Sequence, residues 1–263
     1  MKSMQNKDSN QVDDFLIQFT NSAKKSLEKS SFSKKFKLIM KQIKTFILII
    51  TLLFVGVCDT FPQQAKSAVK LARVKYSGGG DWYNDQSAEV NLLNFVAKNT
   101  NINVSPVYEW VDLASDNLFN YPLIFITGHG NVNFTENEVR RLRAYLENGG
   151  FLYIDDDYGL DEFIRKQMKR VFPEQDFVEL PFNHEIYSIH FKFPNGLPKT
   201  HEHDKKSPRG YGLFNNGRLC VFFTYETNPS DGWADPDVHN DPLEKREEAL
   251  KIGTNIIVWA LTR

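Results

Sequence analysis

The sequence predicts an α/β domain: a mostly parallel sheet with helices on both faces. Short apolar runs alternate with stretches of helical periodicity, the pattern of strand–helix–strand units. Leu123-Ile-Phe-Ile126 is apolar at every position, as a strand buried on both faces must be. Three apolar runs also end abruptly in polar residues, Thr127-Gly128-His129-Gly130, Asp155-Asp156-Asp157 and Thr224-Tyr225-Glu226. Ligands of open parallel sheets sit beyond the carboxyl ends of the strands, so these ends mark a candidate crevice.

The elements follow in order. Val69–Lys75 alternates and predicts a first strand, and Gly78-Gly79-Gly80 a flexible turn. Ser87–Lys98 carries Val90, Leu93 and Ala97 at helical spacing. Ile102–Val107 predicts a second strand and Leu123–Ile126 a third. Thr135 followed by Glu138 is a capping box, and Val139, Leu142 and Leu146 continue its helix to Gly149-Gly150. Phe151–Ile154 is a fourth strand, and Leu160–Val171 a helix ended before Pro173. Residues 174–217 read as irregular, with strand fragments at Phe177–Leu180 and Ile186–Phe191. Arg218–Tyr225 is a late strand and Glu244–Leu261 a terminal helix. Joined by right-handed crossovers, these elements make one domain of the flavodoxin-like class over residues 68–263.

Charge is balanced, 32 Lys+Arg against 33 Asp+Glu, so no basic excess points to nucleic acid. The N-terminus differs from the rest. Residues 1–39 are a polar extension, and residues 40–67 read as a signal peptide or membrane anchor. There Lys41 and Lys44 precede the apolar stretch Phe46–Val55. At ten residues that stretch is short for a membrane span of roughly 20. Met40 heads it and is the expected natural start; if Met1 is the start, an uncleaved signal anchor is expected instead. Ala65-Lys66-Ser67 offers a cleavage site, and Cys58 a lipidation site weakened by the bulky Val57 before it. The expected location is therefore periplasmic or elsewhere in the outer cell envelope, with membrane contact only through the N-terminal segment.

The polar strand ends carry the candidate chemistry. His129 reads as a metal ligand or general base, with Gly128 and Gly130 letting backbone approach a ligand; it reads equally as the capping residue of a glycine-rich turn. Alternation along an extended chain puts Asp155 and Asp157 on one face and Asp156 on the other. Close carboxylates repel unless they hold a cation or share a proton, although one of them could simply cap the helix from Leu160. His201-Glu202-His203-Asp204 is the densest ligand-like cluster, and imidazole with carboxylate suits zinc, iron or manganese. His184 and His190 flank a turn nearby. Asp231-Gly232-Trp233 offers an aromatic plate for stacking on a sugar, or a turn with a packed Trp. No Gly-x-Ser-x-Gly elbow, phosphate loop or Gly-x-Gly-x-x-Gly is present. Cys220 lies inside an apolar run, which suits a buried hydrophobe and not a nucleophile.

The sequence resembles the bacterial family known as domain of unknown function 4159, from about Ala68 to Arg263. The residues that carry the resemblance are Tyr121-Pro122, Thr127–Gly130, Leu142-Arg-Ala-Tyr-Leu146 with Gly149-Gly-Phe151, the Asp triplet, Arg170-Val-Phe-Pro173, Asp231-Gly-Trp233 and Gly253-x-Asn255 through Trp259-Ala-Leu-Thr262. The resemblance implies kinship with class I glutamine-amidotransferase-like and trehalose-utilisation-like domains, and a cell-envelope role. Amidotransferases place a cysteine on an elbow after a central strand; here Phe151–Ile154 runs into aspartates, which argues against glutaminase activity.

Three functions remain in view. One is a binding module that holds a small polar ligand or glycan with Thr127, Gly128, His129, Gly130, Asp155, Asp156, Asp157, Tyr225, Glu226, Asp231 and Trp233. The second is a divalent-metal-dependent hydrolase with His129, His184, His201 and His203 as ligands beside the Asp triplet. The third is an envelope assembly partner presenting aromatics such as Trp82 and Tyr83.

Overall fold

A computed structural model describes residues 5–57, 68–201 and 203–263. The chain divides into two compact units, Met1–Ala65 and Lys66–Arg263. The first contains one long helix, α1 (Gln5–Val57). Among the described residues no helix is long and apolar enough to cross a membrane. Cys58 and the Ala65-Lys66-Ser67 cleavage site lie outside the described residues.

The second unit is a mixed α/β domain on a seven-stranded sheet. Its elements are β1 (Leu71–Lys75), α2 (Ala88–Asn99), β2 (Glu109–Asp112), β3 (Leu123–Ile126), α3 (Glu136–Glu147), β4 (Phe151–Asp155), α4 (Asp161–Val171), β5 (Val178–Glu179), β6 (Arg209–Asn215), β7 (Arg218–Tyr225), α5 (Pro229–Trp233), α6 (Pro236–His239) and α7 (Leu243–Thr262). The strand order is β2-β1-β3-β4-β7-β6-β5. The first five strands of that row are parallel, and β6 and β5 close it as an antiparallel edge. Alternation along each strand feeds two cores. Ala72, Ile124, Ile126, Leu152, Ile154 and Phe223 pack with Leu142 and Leu146 of α3 and Ile164 and Met168 of α4. Leu71, Phe125, Tyr153 and Phe222 pack with Leu92 and Leu93 of α2 and Ile252 and Ile256 of α7.

The expected second strand is displaced. Ile102–Val107 contributes one isolated bridge, Val69 to Val104, and the β2 ladder forms at Glu109–Asp112. There Val111 packs beside Val74 in the core, and at the exposed edge Lys70 Nζ binds Glu109 Oε1 at 2.7 Å. Within the segment read as irregular, β6 is a full strand. Its Gly210 and Gly212 break the apolar alternation because Tyr187, Phe222 and Leu219 fill the space their side chains would take. Ile186–Phe191 is not a strand; Glu185–Tyr187 forms a single 3-10 turn.

The capping box forms as the Thr135/Glu138 spacing requires. The Thr135 Oγ1 accepts from Glu138 N at 3.3 Å, and Glu138 Oε2 accepts from Thr135 N at 2.6 Å. Thr135→Ala is expected to lower stability by about 1 kcal/mol, read as a lower urea midpoint at unchanged slope.

Candidate functional site

The carboxyl ends of β1, β3, β4 and β7 deliver their side chains to one place. The loop after β1 is fixed from below. Arg73, fully buried, binds Glu89 of α2 through two contacts of 2.6 and 2.8 Å. Its remaining NH groups donate to the backbone carbonyls of Trp82, Asn84 and Asp85. This buried ion pair thereby sets the positions of Asn84 and Asp85. Burial pushes the Glu89 carboxyl above its ordinary range despite the arginine beside it.

The Asp triplet divides its work. Asp155, wholly buried, accepts from Thr224 Oγ1 at 2.6 Å and from Ser230 N and Oγ at 2.8 and 2.7 Å. Burial pushes it up to about 7, against the pull of those donors. It ties β4 to the start of α5. Asp156 turns the other way, accepts from Leu160 N at 2.8 Å and so starts α4; burial lifts it to about 6. Asp157 enters the site. Asn84 Nδ2 donates to its Oδ2 at 2.6 Å, and Asn228 Nδ2 to its Oδ1 at 2.8 Å. Burial and the charges of Asp231, Asp155 and Asp85 push its carboxyl well up.

Asp231 is the centre of the arrangement. Its Oδ2 lies 2.6 Å from His201 Nδ1 and accepts from Asn228 Nδ2 at 3.2 Å. Its Oδ1 is buried, has no hydrogen-bond partner and lies 3.8 Å from His239 Nε2. Burial raises its carboxyl, but the hydrogen bond from His201 and the charge of His239 outweigh this and hold it low. The same contact with Asp231 raises His201. His201 Nε2 meets Asp241 Oδ1 at 2.8 Å, and His239 Nε2 meets Asp85 Oδ2 at 2.9 Å. Among the described residues, His201, Asp231 and His239 form one group able to hold a metal ion, and Asp85, Asp157 and Asp231 another.

The backbone around the cluster is unusual. Asp85 (φ 42°), Glu226 (φ 58°), Asn228 (φ 48°) and Asn240 (φ 57°) occupy the left-handed region that non-glycine residues seldom visit. Such conformations concentrate where the surrounding structure holds a functional geometry.

Of the expected site residues, His129, Asp157, Asp231 and His201 are brought together. His129 Nδ1 lies 3.3 Å from Asp157 Oδ2 and 3.0 Å from Asp81 Oδ2, with the ring half exposed at the rim. Gly128 (φ 131°) keeps this turn tight, because a side chain there would strike Tyr76 and Asp81. Gly130 takes φ 74° and its N–H donates to Tyr158 O. Thr127 Oγ1 lies 3.3 Å from Ser230 Oγ and Tyr76 donates to its carbonyl, so its role is to brace the crevice floor. Tyr225 and Glu226 hold the neighbouring loop: Lys206 Nζ binds Tyr225 Oη at 2.8 Å, and Glu226 binds Lys199 Nζ and Asp204 N, both at 3.0 Å.

Three expectations are corrected. Trp233 offers no plate to a ligand. It is 1 % exposed, packs on Phe125 and Tyr153, and donates to Ala249 O at 2.7 Å. His184 does not join the other histidines. Its ring packs against Trp259 near the end of α7, about 20 Å along that helix from Lys245, which binds Thr200 O beside His201. His203 stacks on Tyr158 outside the cluster. With Asp156, Tyr158, Gly159, Tyr225 and Glu226 it lines an adjoining cleft of about 290 Å³. Cys220 is buried in the sheet with its thiol pushed up to about 11 by burial, so it is no nucleophile.

Sequence reasoning missed Asp85, Asn228, His239 and Asp241. The signal was the run Asp235-Pro-Asp-Val-His239-Asn-Asp241, rich in acids and histidine just after Trp233. No curated protein matches the chain. A family model matches residues 70–261, most of the chain and every residue of this site. The chain therefore belongs to the family described as a domain of unknown function, DUF4159.

Proposed function

We propose that the crevice binds a divalent cation and that the chain is a metal-dependent hydrolase. The observation that carries this reading is the buried, unpartnered Oδ1 of Asp231 between two histidines and two further carboxylates. A buried acceptor without a donor costs stability unless something electropositive occupies the position. The donor set of two imidazoles and a carboxylate, open on the side of the crevice, is that of catalytic zinc, iron or manganese sites. His201 also has the support such ligands need, since Asp241 accepts from its far nitrogen and fixes the ring.

The cation would lower the pKa of bound water and polarise the bond under attack. His129 stands at the rim to take the proton. Its Nδ1–H is engaged by Asp81 and Asp157, which leaves Nε2 as the acceptor. The parallel strand order β2-β1-β3-β4-β7 supports the flavodoxin-like, amidotransferase-related reading, with the crevice beside the point where the order reverses at β1 and β3. The lysines before Phe46–Val55 support export to the cell envelope.

The test is metal content of the purified full chain, with melting curves before and after chelation. Near-stoichiometric zinc, manganese or iron is expected. Saturating metal at about 100 times its dissociation constant adds about 2.7 kcal/mol, a shift of roughly 5–10 °C for a domain of this size. Absence of metal, together with a melting point indifferent to chelator and added cation, overturns the proposal. A second reading, binding of a small polar ligand or glycan, is favoured by the cleft of Tyr158, His203 and Tyr225. A thermal shift with a glycan but not with a cation would select it.

A further inference from the structure

The two ligand groups share one residue, and the charges around it do not balance. Asp85, Asp231 and Asp241 contact His201 and His239, and Asp157 joins Asp85 and Asp231 while facing His129. No lysine or arginine among the described residues forms an ion pair with any of the four. A histidine that ligates a metal is neutral, so with all four carboxylates ionised one divalent cation would leave two negative charges in excess, and two cations would offset all four.

The spacing admits two ions after small side-chain shifts. Ligands about 2.1 Å from an ion lie about 3.0–3.4 Å from each other along the edges of octahedral or tetrahedral spheres. The ligand atoms of each group lie within 4.8 Å of one another, so an ion could enter if His201 Nδ1, now hydrogen-bonded to Asp231 at 2.6 Å, moved apart by about 0.5 Å and His239 Nε2, at 3.8 Å, closed in by a similar amount. Asp231 can serve both groups because a carboxylate has two oxygens, and one of its own is buried and unpartnered. Asn84 and Asn228 meanwhile hold Asp157 from both sides and fix its direction.

We propose that the crevice is a two-cation centre bridged by Asp231. His201 and His239 hold one ion, and Asp85 and Asp157 the second. This rests on the single-cation reading above and goes beyond it. The imidazole side suits a borderline metal such as zinc or iron, and the all-carboxylate side a harder one such as manganese or magnesium. Bridged ions about 3.5–4 Å apart clamp both the attacking and the leaving oxygen of a hydrolytic displacement.

Equilibrium dialysis of the full chain against Mn²⁺ tests this, with electron paramagnetic resonance of the loaded protein. About two Mn²⁺ per chain and an exchange-coupled spectrum are expected. Asp85→Asn should lower the count to about one and leave the six-line spectrum of an isolated ion. The wild-type spectrum decides the question even if that variant fails to fold. One ion per chain with an uncoupled spectrum at saturation overturns the bridged pair and leaves the single-cation reading standing. No bound Mn²⁺, with no zinc or iron displaced, overturns both. A loaded count of two with uncoupled spins places the second ion elsewhere and also overturns the bridge.

Discussion

Asp231→Asn is expected to abolish metal-dependent stabilisation and any hydrolytic activity while leaving the fold intact. The amide keeps the size of the side chain and can still meet His201, so α5 and its packing on α7 should survive. What it loses is the negative charge between His201 and His239 and beside Asp157. A residue that merely orients a metal ligand costs about 10–100-fold in affinity when removed, so loss of the central ligand should exceed about 100-fold. Calorimetric titration with Zn²⁺ or Mn²⁺ reads the affinity. The melting curve reads the fold, because chelated wild type and the variant should melt within about 1–2 °C of each other, a difference under about 1 kcal/mol. Relief of carboxylate crowding at Asp157 offsets the weakened contact to His201. Undiminished cation affinity in Asp231→Asn would remove this residue from the centre and with it the proposed function.

The largest stability effect is expected at Arg73. Its guanidinium and Glu89 are both wholly buried, and Arg73 alone spans from β1 to α2 and to the loop of Asn84 and Asp85. Arg73→Met leaves a buried carboxylate without its partner, which costs about 3–5 kcal/mol. For a domain of this size the melting point should fall on the order of 10 °C. Buried pairs replaced together by apolar groups are often neutral, so Arg73→Met with Glu89→Leu should recover most of the stability. It should not recover cation affinity, because nothing then holds the Asn84 and Asp85 carbonyls. Full recovery of both in the double variant would show that the pair serves packing alone.

Much of the scaffold was legible in the chain. Leu123–Ile126 and Phe151–Ile154 are strands because a segment buried on both faces must be apolar throughout, and their short unbroken length between turn residues reveals that. Thr135 and Glu138 begin α3 because both ends of the capping box lie within one helical turn. The strand expected at Ile102–Val107 forms instead at Glu109–Asp112, an edge strand that buries only Val111 and so carries little apolar signal. The missed strand β6 carries glycines where Tyr187, Phe222 and Leu219 intrude, and only the packed sheet shows that those gaps are filled.

The same division applies to the site. Thr127–Gly130 and Asp155–Asp157 were visible as polar ends of apolar strands, since a buried strand must place its polar residues where it leaves the core. The convergence of Asp157 with the other site residues was not visible. Asp85, His201, Asn228, Asp231 of α5 and His239 of α6 lie up to 154 residues apart, and their convergence follows from the order of parallel strands, which adjacency in sequence does not encode. Tertiary structure also decided between the two readings of Trp233, whose ring the sequence could place at a crevice or in a core. The strand register puts Phe125 and Tyr153 beneath it and α7 above it, and burial of that surface decides for the core. The sequence by itself determined the alternating elements and the polar strand ends, because local periodicity and capping act over a few residues. Only the tertiary structure decided which carboxylates share one centre, because like charges are brought that close only by the packing of the whole sheet.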